Sequence, residues 1–96
     1  MTKRTKRDLK AFSLHWGGGV IEEEAQFATQ YHVPTLQLLK FTSGAAAGGR
    51  AIRFCHYDAR GRFQRSPLII DQKDVSSLAR ALEKTPKLRK LLARLV

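Results

Sequence analysis

A single cysteine, Cys55, leaves the chain no partner for an internal disulfide. That excludes a disulfide-stapled scaffold and suits a reducing compartment. His15, His32 and His56 lie far apart, with no CxxC or HExxH grouping, so the spacing that holds zinc is missing. Gly17-Gly18-Gly19 is not followed by the further glycine, Lys and Ser or Thr of a Walker loop, and no nucleophile elbow occurs. Cys55 and His56, as neighbours on a strand, point to opposite sides and cannot form a thiolate–imidazolium pair. Cys55 therefore reads as a small buried hydrophobe. These absences lead us to expect no enzyme and no cofactor. No run approaches the roughly 20 apolar residues that span a bilayer. The start, MTKRTKRDLKAFSLHW, lacks a continuous apolar segment and a small-residue cleavage site, so it is not a secretory signal. The expectation is a cytoplasmic protein, nucleoid-associated in a bacterium, with no membrane partner.

The scarcest group is the acids. Eight Asp and Glu face 18 Lys and Arg, for a formal charge of +10. Such a surface steers toward polyanions. At 96 residues the chain makes one domain without a deep cleft between lobes.

The charge concentrates in RAIRFCHYDARGRFQRSPLIID, from Arg50 to Asp71, where Arg50, Arg53, Arg60, Arg62 and Arg65 face Asp58. Two strand-like runs, Ile52 to Tyr57 and Phe63 to Ile70, flank Asp58-Ala59-Arg60-Gly61, whose glycine offers the positive φ of a tight turn. The stretch reads as a β-hairpin. Arginine forks suit phosphate and stack on bases, and here they are interleaved with Phe54, His56, Tyr57 and Phe63. This pattern points to a nucleic-acid surface. The plainer reading is a solvated sheet edge whose aromatics fill the core.

Residues 1–10 read as a flexible basic arm, with Lys3, Arg4, Lys6, Arg7 and Lys10, suited to phosphate contacts or to solubility alone. Residues 11–96 make the domain. Phe12, Leu14 and Trp16 alternate onto one side of a short strand, which the triple glycine ends as a turn or bulge. Val20 to Tyr31 is open between strand and helical turn, and Glu22-Glu23-Glu24 reads as a solvated surface at the edge of a binding face. Val33-Pro34 starts a strand over Thr35 to Thr42, and the Ser43 to Gly49 stretch is its hairpin loop. Asp71 caps a helix whose stripe, Val75, Leu78, Ala79 and Leu82, is expected to cover a face of the sheet. Thr85-Pro86 starts a second helix with a stripe of Leu88, Leu91, Leu92 and Leu95 and a wet face of Lys87, Arg89, Lys90 and Arg94. Those leucines need the sheet or another subunit as a partner.

From Leu36 to Leu82 the chain resembles the single-stranded-DNA-binding domain of the transcriptional coactivator positive cofactor four, and more closely its small bacterial relatives. The matching features are the strand Leu36 to Phe41, Ile52-Arg53, Asp58, Gly61, the triplet Leu68-Ile69-Ile70 and the helix from Gln72. Phe12 to Ile21 looks like the first strand and the Gly-Val-Ile of bacterial members. Arg65-Ser66-Pro67 replaces the family's Gly-Lys-Gly, and Val75 its tryptophan. The resemblance implies stacking aromatics at Phe41 and His56, with Tyr57 as the neighbouring alternative, a binding arginine at Arg53, and a homodimer with antiparallel channels for single strands. Phe41 is open to a core role as well.

The expected fold is α+β: a curved antiparallel sheet of about four strands backed by a C-terminal helix, a second short helix after Pro86, and a homodimer. The expected function is binding of single-stranded DNA with little sequence preference, in transcription, replication or repair. Its contacts would be Lys40, Phe41, Arg50, Arg53, His56, Tyr57, Arg60, Arg62, Phe63 and Arg65. RNA on the same sheet and a protein-interaction module built on the leucine stripe are the alternatives.

Overall fold

The computed structural model describes residues 9–65 and 67–96; the basic arm up to Asp8 and Ser66 lie outside the described residues. Five strands, β1 (Ala11–Leu14), β2 (Gly17–Gln26), β3 (His32–Phe41), β4 (Arg50–Asp58) and β5 (Leu68–Asp71), form one antiparallel sheet in chain order. A 3-10 turn (Gln72–Asp74), α1 (Val75–Leu82), α2 (Pro86–Leu92) and a closing 3-10 turn (Ala93–Leu95) follow. The class is α+β, with five strands where about four were expected.

The additional strand comes from the segment that local propensity left open. Val20 to Gln26 pairs with β3 from Lys40 back to Thr35, and a bulge between Ile21 and Glu23 absorbs Glu22. One extra residue shifts the alternation, so Ile21 and Glu24 both fall on the face that carries Gln37 and Leu39. The triple glycine is part of β2 rather than a break: Gly17, Gly18 and Gly19 pair with Leu14, Ser13 and Phe12. Gly19 also pairs with Phe41, and a Cβ there would run into the carbonyl oxygen of Lys40. Glycine is used here because two backbones approach too closely for a side chain.

β3 starts at His32, just ahead of the expected start at Val33-Pro34, and Pro34 sits opposite His56 within it. β5 is shorter than its sequence run. Tyr57 and Phe63 form an isolated bridge, and continuous pairing resumes only at Leu68 opposite Phe54. The expected turn is in place: Gly61 has φ +82° and its N–H donates to the Asp58 carbonyl at 3.0 Å.

Period-two alternation divides the sheet into two faces. The core face carries Phe12, Ile21, Leu39, Phe41 and Ala51, all buried, with Leu14, Ala46 and Ile69 packed against them. Burying a Phe, Leu or Ile side chain stabilises by roughly 1.5–3 kcal/mol, and the alanines contribute less. Leu36, Leu38, Ile52, Phe54, Leu68 and Ile70 alternate onto the other face, where Ala25, Leu36, Leu38 and Ile52 line a shallow groove. We call it the open face.

Asp71 caps as expected, its Oδ1 accepting from Lys73 N–H at 2.9 Å, but it caps the 3-10 turn and not α1 directly. Thr85 precedes Pro86 at the start of α2 without a side-chain cap bond; its hydroxyl donates instead to the Leu82 carbonyl. The expectation that the α1 stripe covers the sheet is not met: no residue of α1 or α2 is buried. Spacing aligns apolar residues on a helix face, but the 3-10 turn that joins β5 to α1 sets what that face meets.

Candidate nucleic-acid interface

The expected contact residues fall into three groups. Phe41, Arg53 and Tyr57 are on the core face; Lys40, Arg50 and His56 are on the open face; Arg60, Arg62, Phe63 and Arg65 follow β4 in the β4–β5 connection. The reason is the pleat. Lys40 and Phe41 are adjacent, as are His56 and Tyr57, and Arg50 and Arg53 are three apart, so each pair straddles the sheet.

On the open face Arg50 is engaged, its Nε and Nη2 donating to the two carboxylate oxygens of Glu22. Lys40 Nζ reaches the Gly48 carbonyl at 3.3 Å. The rings of His32 and His56 meet edge to face with centroids 5.5 Å apart. The glutamate triplet is thus not only a solvated surface. Glu22 holds Arg50 and Glu24 reaches into the core face, because the bulge sends them to opposite sides.

The core face carries the densest chemistry. Gln37, 2% exposed, lies opposite Arg53, 5% exposed, and uses its whole amide. Its Nε2 donates to Glu24 Oε2 at 2.7 Å and to the Tyr57 hydroxyl at 3.0 Å. Its Oε1 accepts from Arg53 Nε at 2.7 Å and from Cys55 Sγ at 3.5 Å. Lys10 closes the outer end, with Nζ 3.5 Å from Glu24 Oε1. A buried guanidinium needs such partners, since an unpaired buried charge is costly. Burial also pushes the Cys55 thiol up, against the lowering effect of Arg53.

Around this network runs a row of rings. Trp16 stacks on Phe41 with centroids 5.1 Å apart and planes at 25°; Phe12 meets Phe41 edge-on, also at 5.1 Å. The Arg53 guanidinium carbon lies 5.7 Å from the Phe12 centroid and 4.8 Å from that of Phe63. Phe63 in turn meets Tyr57 edge-on at 5.5 Å. Such cation–ring and ring–ring contacts each contribute about 0.5–2 kcal/mol. The row is closed at Phe41, which is 2% exposed, and open at Trp16 and Phe63, each 42% exposed. The ring of Phe41 is therefore covered where it was expected to meet a base, and Trp16, which lies over it, presents the accessible surface.

Beside Phe63 is the basic turn. Asp58 Oδ1 accepts from the N–H groups of Arg60 and Arg62 at 2.9 and 2.8 Å, and Oδ2 from Arg62 Nε at 2.7 Å. The Arg62 backbone N–H first, and then the other donors, hold the Asp58 carboxyl below its usual range. One acid thus shapes the loop that displays Arg60 and Arg62, while Arg65 is exposed beyond it.

No family model matches this chain, and no curated protein or solved structure matches it. Among the described residues no group of three or more His, Cys, Asp or Glu is placed to hold a metal ion, and no helix is long and apolar enough to cross a membrane.

Among the residues of this site that were not expected as parts of it are Phe12, Trp16, Gln37 and Glu24. Trp16 alternates with Phe12 in the sequence, which signals a shared face, but its stacking on Phe41 depends on pairing through β2. Gln37 and Glu24 carry no sequence signal, because the bulge that aligns them is not a spacing rule.

Proposed function

We propose that this chain is a non-enzymatic, cytoplasmic protein that binds single-stranded nucleic acid, DNA by preference, with little sequence selectivity. The observation that carries the reading is the aromatic and guanidinium row, in which Trp16 and Phe63 are half-exposed, with Arg60, Arg62 and Arg65 close to Phe63 in the chain. Rings stack on bases of any sequence while cations track phosphates, at about 1–3 kcal/mol per stacked base. The net charge of +10 adds long-range attraction. The order β3, β4, β5, α1 is also the one implied by the resemblance to positive cofactor four.

We propose further that the working form is a homodimer with a curved sheet. The dimer is supported by the apolar surface the protomer leaves exposed, on the open face and along Leu78, Leu88, Leu91 and Leu95. A second copy would cover it. The same exposed leucines support a second reading, a protein-interaction module in which the charge serves solubility.

The test is fluorescence anisotropy of a labelled single strand of about 20 nucleotides, competed with duplex DNA and single-stranded RNA. The expected result is preference for DNA single strands over both competitors, with affinity falling roughly tenfold or more between about 50 and 200 mM salt. Equal competition by duplex would remove stacking from the reading, and stronger competition by RNA would exchange the ligand. No binding at low salt would leave the protein-interaction module. Sedimentation equilibrium tests the dimer.

A further inference from the structure

We propose that Trp16, seated on Phe41, is the surface on which one base of the bound strand stacks. The proposal rests on the single-strand reading and assigns a subsite within it. Trp16 is the only tryptophan in the chain, and it caps the core without being enclosed by it. The ring beneath it is held from a second direction, because Phe12 meets Phe41 at 89°. An indole on a braced, buried ring is a flat platform with little freedom to tilt.

Its backbone is held as firmly. Trp16 lies in the two-residue turn between β1 and β2, and Gly44 of the β3–β4 loop packs against this turn and the start of β2. Gly18 N–H donates to Ser43 Oγ at 3.1 Å, while the N–H groups of Thr42 and Ser43 donate to the Gly18 carbonyl at 2.9 and 3.2 Å. Gly44 packs so closely that a Cβ on it would strike the Trp16 carbonyl oxygen. A ring positioned before the ligand arrives loses little further freedom on binding, so more of the stacking energy appears as affinity. A large, half-exposed aromatic fixed in this way has the character of a binding hot spot.

The experiment uses the lone tryptophan as its own reporter. Indole emission of the full chain is followed while unlabelled oligothymidine of about 20 nucleotides is added, and anisotropy with the labelled strand is measured for wild type, Trp16→Ala and Trp16→Phe. We expect quenching in the wild type, an affinity loss of about 5- to 150-fold in Trp16→Ala, the equivalent of one stacked base, and most of the affinity restored by Trp16→Phe. Quenching in the wild type needs no variant to fold, and circular dichroism checks the two that are made. Strand binding without quenching, or full affinity in folded Trp16→Ala, overturns the assignment of Trp16 and leaves the single-strand reading intact. Absence of binding by the wild type overturns both.

Discussion

The core face of the sheet and the two C-terminal helices both carry apolar side chains at regular spacing, and they treat them in opposite ways. On the core face Leu39 and Phe41 are closed off by neighbours from β1, β2 and β4, and even the polar Gln37 and Arg53 are buried with partners. In α1 and α2 the stripe residues Val75, Leu78, Leu88 and Leu91 remain exposed. Patterning sorts residues onto a face, but a face is buried only where the topology brings another surface to it. In a meander each strand pairs with the next along the chain; the main contacts of α1 and α2 are with one another and with their adjoining 3-10 turns.

The largest effect that would test this contrast is at Gly19. Gly19→Val forces a side chain into the Lys40 carbonyl and should cost about 4 kcal/mol or prevent folding, read by urea denaturation; a mild effect would show that β2 and β3 can separate. Next comes a matched pair. Leu39→Ala should cost about 3 kcal/mol, whereas Leu91→Ala should change the isolated protomer by no more than about 0.5 kcal/mol. If Leu91→Ala proves equally costly, and in a way that depends on protein concentration, the helices are covered by another subunit.

Gln37→Leu should cost about 1–3 kcal/mol, because Arg53, Glu24 and Tyr57 lose one shared partner. A neutral result would mean that the network rearranges around a leucine. Smaller still is the pH response of the basic turn. The folded carboxyl of Asp58 titrates below its unfolded value, so its contribution is present above the ordinary carboxylate range and is lost as pH falls through the depressed value. Asp58→Asn should flatten that part of the acid limb of a thermal melting series. Cys55, whose thiol burial pushes up, should alkylate more slowly at neutral pH than an unstructured cysteine peptide, and at the peptide's rate after unfolding.

Much of the fold was legible. The strand from Thr35, the turn at Gly61, the cap at Asp71 and the start at Pro86 follow from residues whose backbone preferences act locally. Part of the site's division was legible too, since the parity of Lys40 and Phe41, or of His56 and Tyr57, already assigns them to opposite faces. What could not be read was β2. Glycine and glutamate have weak strand preference, and they are held there by pairing on both sides. For Phe41 the sequence left a stacking and a core role open, and the choice lay with Phe12 and Trp16, which reach it only through the register of two further strands.

The amino-acid sequence by itself determined the charge, the absence of an internal disulfide, the apolar stripes of the helices and the turn chemistry, because each depends on residue type or near-neighbour spacing. The tertiary structure decided which arginine is buried, which ring stays open to solvent and which stripe is left uncovered. Those depend on register and on a one-residue bulge in β2, where a shift of a single position moves a side chain from one face of the sheet to the other.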